Sequence, residues 1–306
     1  MKLIESKAEY IPQEEGLEGM YKQIELAGRT AYHSLDKITP DSAKDFVDRM
    51  IKSKHGAALE HGTIYLDLPN SARDFCAVED YASNTYSKLI IFQEEDRVHN
   101  YVITNYRVLV EHDWLDDLQY LCSPTEFHER RYTMRFTCSR AIAQELTRHR
   151  VFSFLMESQR YINYSKERHG GEINYIMPSW YLRANAAQQK AFMHIIRDAE
   201  SYYMALLGKW DDKKPDRRFK IGFKDNPLTP QQARDVLPNA TKTELIMTGF
   251  ASDWRFFFDL RYYGKTGKPH PDMELVASKA RDEFIKAGLW DDIMSHPTTF
   301  NDGKSN

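Results

Sequence analysis

Hydrophobic positions change period several times along this 306-residue chain, and each change marks an element. After Thr39-Pro40 the apolar residues Phe46, Val47, Met50 and Ile51 recur at helical spacing. Thr39 is placed to cap that helix, and Pro40 suits a first turn that needs no N–H from it. From Gly62 to Leu68 the period drops to two, with Ile64, Leu66 and Leu68 on one face and Thr63, Tyr65 and Asp67 on the other, which predicts a strand. The stretch Ser71 to Asn100 is polar without a clean period and reads as a surface excursion. Tyr132, Met134, Phe136 and Cys138 then alternate with Thr133, Arg135 and Thr137. This half-buried strand runs straight into a helical pattern carried by Ile142 and Leu146, which ends at Arg148-His149-Arg150. Helices are expected over Ala186 to Leu207, from Thr229-Pro230 to Val236, and from Thr241 to Arg261. Between them, Lys213 to Lys224 places six Lys and Arg residues around Pro215 and Gly222, a basic loop rather than an element.

This pattern predicts one α/β domain over residues 1–300, a small mixed sheet holding the strands near 62–68 and 131–138, flanked by helices. An insertion is expected around 71–130 and a disordered tail over 301–306. With 42% hydrophobic residues the chain can bury a sizeable core. Its net charge of −3 argues against a polyanion-binding surface, so local cationic clusters must carry any phosphate binding. Cys76, Cys122 and Cys138 form neither a CxxC pair nor an even disulfide framework. With no signal peptide and no apolar run of membrane-spanning length, a cytoplasmic protein is expected, without a membrane or nucleic-acid partner.

The densest chemistry lies between residues 140 and 161. Arg148, His149 and Arg150 are followed, after seven residues, by Ser158-Gln159-Arg160-Tyr161, a concentration of guanidinium forks and hydroxyls suited to planar or phosphate anions. Cations at a helix C-terminus also offset its dipole and bind its free carbonyls, and local chemistry alone leaves both readings open.

The Arg148-His149-Arg150 triplet with its Ser158 resembles the signature of the flavin-dependent thymidylate synthases. His55, four residues, then Glu60-His61 ahead of a strand is similar to the segment where that family contacts flavin. Ala233-Arg234 through Pro238, and Gly249 with Trp254-Arg255 and Leu260-Arg261, look like its C-terminal substrate blocks. Together these blocks tie residues from about 25 to 285 to the family, in family order.

The resemblance implies that family's fold and a homotetramer with active sites shared between subunits. It implies FAD as cofactor, dUMP as substrate, and methylenetetrahydrofolate and NADPH as cosubstrates. It places Arg148, His149 and Arg150 at the flavin, with His55 and Glu60 helping to hold it from a neighbouring chain. It places Arg140, Glu145, Ser158, Gln159, Arg160, Arg234 and Arg261 at dUMP. Several arginines suit a phosphate monoester, and an arginine near the uracil carbonyls would stabilise developing enolate charge. Arg261 is the expected catalytic group, although pairing with Asp259 or Glu274 on a helix face is a simpler use of it. For Glu145, an ion pair one turn along its helix is as simple as a nucleotide contact.

The chain departs from the family at Phe250 and Ser252, where many members carry Asn and a second Arg, and at Ala57 and Leu59, between His55 and Glu60. His270 follows an insertion where the family has a later histidine. Ser158 as a nucleophile activated by His149 lacks a third group to orient the histidine. None of the cysteines stands in the Pro-Cys-His setting of the thiolate-using thymidylate synthases. His55, His61 and His149 show no metal-ligand spacing, so no metal is expected. The alternative function is a nucleotide or nucleic-acid binding protein that has lost catalysis.

Overall fold

The computed structural model describes residues 1–69, 75–94, 97–166, 171–209 and 226–298. The basic loop at Lys213 to Lys224, the tail over 301–306 and the Cys76 side chain lie outside the described residues. In chain order the strands are β1 (Lys2–Ile4), β2 (Lys7–Ile11), β3 (Thr63–Pro69), β4 (Lys88–Glu94), β5 (Arg97–Asn105), β6 (Arg131–Ser139), β7 (Ser153–Met156), β8 (Asn174–Ile176) and β9 (Lys242–Phe250). The helices are α1 (Gly16–Ala31), α2 (Ser42–Lys52), α3 (Gly56–Leu59), α4 (Phe75–Ser83), α5 (Tyr106–Glu111), α6 (Arg140–Leu146), α7 (Ala186–Leu206), α8 (Pro230–Ala233), α9 (Ala251–Arg261), α10 (Pro271–Lys286) and α11 (Trp290–Ser295).

The expected α/β class, sheets flanked by helices, is what the chain forms, but the two strands placed in one sheet belong to different ones. β3 lies in a three-stranded antiparallel sheet of order β3-β5-β4, while β6 lies in a four-stranded antiparallel sheet of order β2-β6-β9-β7. A parallel pair, β1 with β8, forms a separate small sheet that is bridged, from Tyr175 to Thr241, to the residues just ahead of β9.

On one face of the four-stranded sheet, Tyr132, Met134, Phe136 and Cys138 of β6 meet Leu245 and Met247 of β9 under α6, α9 and α10. A second core joins α1, α2 and α3 to β3 and β5 through Met20, Ile24, Phe46, Val47, Ile64, Leu66 and Val102. The α2 face is the predicted one, with Phe46, Val47 and Met50 buried, although the helix starts at Ser42 behind Asp41 rather than at Pro40. Buried Arg131 links the two sheets, reaching Thr63 Oγ1 at 3.3 Å and the Thr104 carbonyl at 3.5 Å, and His61 Nδ1 lies 2.8 Å from Thr248 Oγ1.

Two expectations are corrected here. Thr241 to Arg261 is not one helix: Lys242–Phe250 is a central strand and only Ala251–Arg261 is helical. β9 is covered on both faces, so Leu245 to Phe250 are all buried and show no alternation, and periodicity cannot tell such a run from a buried helix. Nor is the stretch before Asn100 a mere surface excursion. It supplies α4, β4 and the start of β5, and buries Val78 and Tyr81. The polar residues that masked it are buried and bonded: Asn100 Nδ2 donates to the Leu68 carbonyl at 3.0 Å, and the Ser87 and Thr104 hydroxyls pair at 2.7 Å.

Candidate functional site

Both central strands of the large sheet hand over directly to a helix. Ser139 is extended and its hydroxyl accepts the Ile142 N–H, starting α6 without a loop. Phe250 is likewise extended, and the Asp253 carboxylate accepts its N–H as α9 begins. With α6 and α9 packed on one core, the last residue of α9, Arg261, meets the turn after α6. Its Nε donates to His149 Nε2 at 3.0 Å, and its Nη1 lies 3.6 Å from a Glu145 carboxylate oxygen. Two blocks separated by 112 residues thus form one cluster. Arg261 does not take the Asp259 or Glu274 partners that its helix face offered; Asp259 is engaged by Arg255 and Lys265 instead. Glu145 faces Arg261 rather than closing an ion pair along its own helix.

His149 is buried among the rings of Phe152, Phe256 and Phe257, each met edge to face. Burial, reinforced by Arg261 and Arg148, pushes its pKa down to about 4, so the ring is neutral at pH 7. A neutral Nε2 that accepts from a guanidinium requires the ring proton on Nδ1. Burial also lowers the Arg261 pKa, opposed by Glu145 and assisted by Arg148, without discharging the guanidinium. Arg148 and Arg150 are exposed, and among the described residues neither side chain has a hydrogen bond or an ion pair.

A second group forms where β7 ends. The Glu157 carboxylate is buried and accepts from Lys242 Nζ at 2.9 Å, the Glu244 N–H at 3.2 Å and the Tyr164 hydroxyl at 3.3 Å. Arg140 lies beside it, with Nη1 3.7 Å from the Met156 sulfur. Buried Gln159 interacts through its side chain with Tyr164. The Ser158 N–H donates to the Ala31 carbonyl at 3.1 Å, and the Ser158 hydroxyl accepts the Arg160 N–H at 3.3 Å. Its hydroxyl makes no bond to His149, so no Ser-His pair exists.

His55 is exposed, its Nδ1 3.0 Å from the Tyr32 hydroxyl, and Tyr32 in turn lies 6.3 Å, ring to ring, from Tyr161. The structure therefore brings His55 to the Ser158–Tyr161 segment through a tyrosine. Glu60 instead has its carboxylate on Arg107 at 2.5 Å. Arg160 is exposed over the Tyr161 ring, and Arg234 is half-buried in a 3-10 turn with no ion pair among the described residues. His270 caps α10 by accepting the Asp272 N–H.

The histidines weighed as metal ligands have separate partners, His55 on Tyr32, His61 on Thr248 and His149 on Arg261, and no group able to hold a metal ion occurs among the described residues. Burial pushes the Cys138 thiol up to about 12; burial and then Asp67 push Cys122 up to about 11, so neither presents a thiolate near neutral pH. No helix of the described residues is long and apolar enough to cross a membrane.

Sequence reasoning missed Tyr32, Glu157, Tyr164 and Lys242. Glu157 adjoins the Ser158 motif and was within reach. Lys242 opens the strand misread as helix, so its approach to Glu157 had no signal.

The family described as thymidylate synthase complementing protein matches residues 82–287. The chain belongs to that family. The match takes in most of the stretch read as an insertion, and it leaves out His55 and Glu60. A flavin-dependent thymidylate synthase of Corynebacterium glutamicum is 31% identical over 137 residues, 45% of this chain and 49% of that protein. The chain thus spans about half the length of that relative. One from Corynebacterium aurimucosum is 22% identical over 99% of this chain and 93% of its own. A solved UMP/dUMP methylase, PolB from Streptomyces cacaoi bound with 5-Br dUMP, superposes with a TM-score of 0.42 and 15% identity over 97% of this chain and 98% of that one. A superposition that loose decides nothing about this chain.

Proposed function

We propose that this protein is a flavin-dependent thymidylate synthase, a methyltransferase that converts dUMP to dTMP with FAD, methylenetetrahydrofolate and NADPH. The observation that carries the reading is the bond from Arg261 to His149, which joins the C-terminal block to the Arg-His-Arg motif inside the family match. The donor set fits a flavin: Arg148 and Arg150 are exposed cations without partners among the described residues, beside a neutral histidine. A bound flavin, once reduced by NADPH, would supply the hydride that completes the methyl group.

The chain's own residues bind and orient. Arg148, His149 and Arg150 hold the flavin, with His55 and Glu60 contributed by a neighbouring subunit of a homotetramer. Arg140, Ser158, Gln159, Arg160 and Arg234 bind the nucleotide, with Glu145 at its edge. Of the five N–H groups of Arg261, one is engaged by His149 and one points loosely at Glu145, which leaves donors for a uracil carbonyl. His149 holds that guanidinium in direction without neutralising it, and charge developing on the uracil oxygen would meet a donor already in place.

The test is an absorbance spectrum of the protein with FAD, scanned before and after NADPH, with and without dUMP. Flavin bands that bleach faster with dUMP, and dTMP formed on adding methylenetetrahydrofolate, are expected. A protein that retains no flavin and forms no dTMP contradicts the reading, and nucleotide or nucleic-acid binding without catalysis would replace it.

A further inference from the structure

Three residues assigned above to dUMP, Ser158, Gln159 and Arg160, lie on one short segment between Glu157 and Tyr164, and that segment is closed on itself. Glu157 Oε1 accepts the Tyr164 hydroxyl, so the two ends of the segment are bonded to each other across seven positions. Oε2 accepts Lys242 Nζ and the Glu244 N–H, and the Glu157 N–H donates to the Glu244 carbonyl at 2.8 Å, so the closed segment is pinned to the first residues of β9. Lys242 is shared with Glu244 at 2.9 Å, so a single ammonium bridges the segment's carboxylate and one on β9. Every oxygen of a carboxylate whose side chain is 2% exposed is engaged within the fold. None is left to meet a ligand.

We propose that Glu157, acting through Tyr164 and Lys242, is the positioning residue of the nucleotide segment. It fixes where Ser158, Gln159 and Arg160 stand before dUMP arrives, while making no contact with dUMP itself. Two features point this way rather than to stability alone. Buried ion pairs are weak sources of net stability, because desolvating both charges offsets their attraction, so the directional bonds of this one count more for where the segment stands than for how stable the fold is. The Gln159 side chain is also buried and lies at Tyr164, where its Nε2 makes no bond of full hydrogen-bond geometry, so the tyrosine that Glu157 holds in turn lies against a group assigned to the nucleotide. Pre-ordering such groups spares the nucleotide the cost of ordering them on binding.

The inference rests on the functional reading above, and one experiment separates the two. dUMP binding to the FAD-loaded protein is measured by titration calorimetry, with steady-state KM and kcat, for wild type, Glu157→Gln, Tyr164→Phe and the double variant Glu157→Met with Lys242→Met. The double variant removes both charges together, so no lone buried ion threatens the fold. Each variant is expected to keep FAD. The double variant should lose roughly tenfold in dUMP affinity and raise KM for dUMP by a similar factor, a loss of the size that one or two hydrogen bonds produce. The value of kcat at saturating dUMP should stay within about twofold, since Arg261 and His149 are untouched. Glu157→Gln, which keeps an acceptor for Tyr164, should fall between the double variant and wild type. A folded double variant that binds dUMP as tightly as wild type overturns the proposal alone. So does a loss of kcat with KM unchanged. A wild-type holoprotein that binds no dUMP overturns the functional reading, and this inference with it.

Discussion

His149 meets two arginines and three phenylalanine rings, and its environment decides both its charge and its use. Burial and the arginines hold its pKa at about 4, below the ordinary 6.5. As the pH falls, the unfolded chain therefore takes up this proton first. The stabilising contribution is whole above about 6.5 and is lost progressively as the pH drops through about 4, on the order of 3 kcal/mol at most. His61, buried beside Arg131 and pushed to about 3, adds a loss of the same sign over a window reaching lower still. Urea midpoints measured from pH 7 to pH 4 should fall steadily, and His61→Gln should flatten that fall; an unchanged slope would show that His61 titrates normally. At the same scale, Arg261→Ala should lower dTMP formation at least ~10²-fold while FAD stays bound, because the donor removed acts on developing charge rather than on the cofactor. Loss of flavin with dUMP binding intact would reverse that assignment. The identity of these residues was legible from the triplet and the C-terminal arginine. Their contact was not, since nothing in a linear spacing of 112 positions encodes a 3.0 Å bond.

Helix α9 delivers Arg261, and its placement depends on Trp254 and Gly249. Trp254 is fully buried on the sheet, with its indole N–H donating to the Tyr132 carbonyl at 3.1 Å. Trp254→Ala should cost about 3–5 kcal/mol by denaturant titration, and activity should fall further than the folded fraction does, because the helix that carries the guanidinium shifts. Gly249 sits in β9 under the Phe152 ring: a Cβ there would fall 2.4 Å from a ring carbon. Gly249→Ala should destabilise by about 1–3 kcal/mol and disturb the corner that holds His149; a neutral effect would mean that Phe152 can swing clear. β9 was also the element that periodicity misread. Amphipathic α2 and alternating β6 announce themselves because apolar positions recur on one face of each, with polar residues between them. A strand covered on both sides lacks that signal.

At the scale of the whole molecule, the groups assigned to one active site fall into two groups within a single chain: Arg261 with His149 and Glu145, and the Glu157–Tyr164 segment, with Arg140 beside it and with His55 reaching its Tyr161 through Tyr32. Sites completed between subunits are the proposed resolution. A solution mass near four times the 35.9 kDa chain is expected by light scattering. If His55 and Arg261 serve a shared site from different chains, His55→Ala and Arg261→Ala, each strongly impaired, should recover activity when unfolded and refolded together, up to about a quarter of wild type by random assortment of the two chains. No recovery from a correctly assembled mixture would place both residues in one subunit's site. By itself the sequence determined the α/β class, the strand-to-helix passage into Arg148-His149-Arg150, and the residue types able to hold anions, because these follow from local periodicity and side-chain chemistry. Only the tertiary structure decided that β3 and β6 part into two sheets, that polar Asn100, Thr104 and Arg131 lie inside, and that Lys242 finds Glu157. Burial and pairing of polar groups depend on which distant segments converge, and the alternation of residues along a single strand carries no record of that.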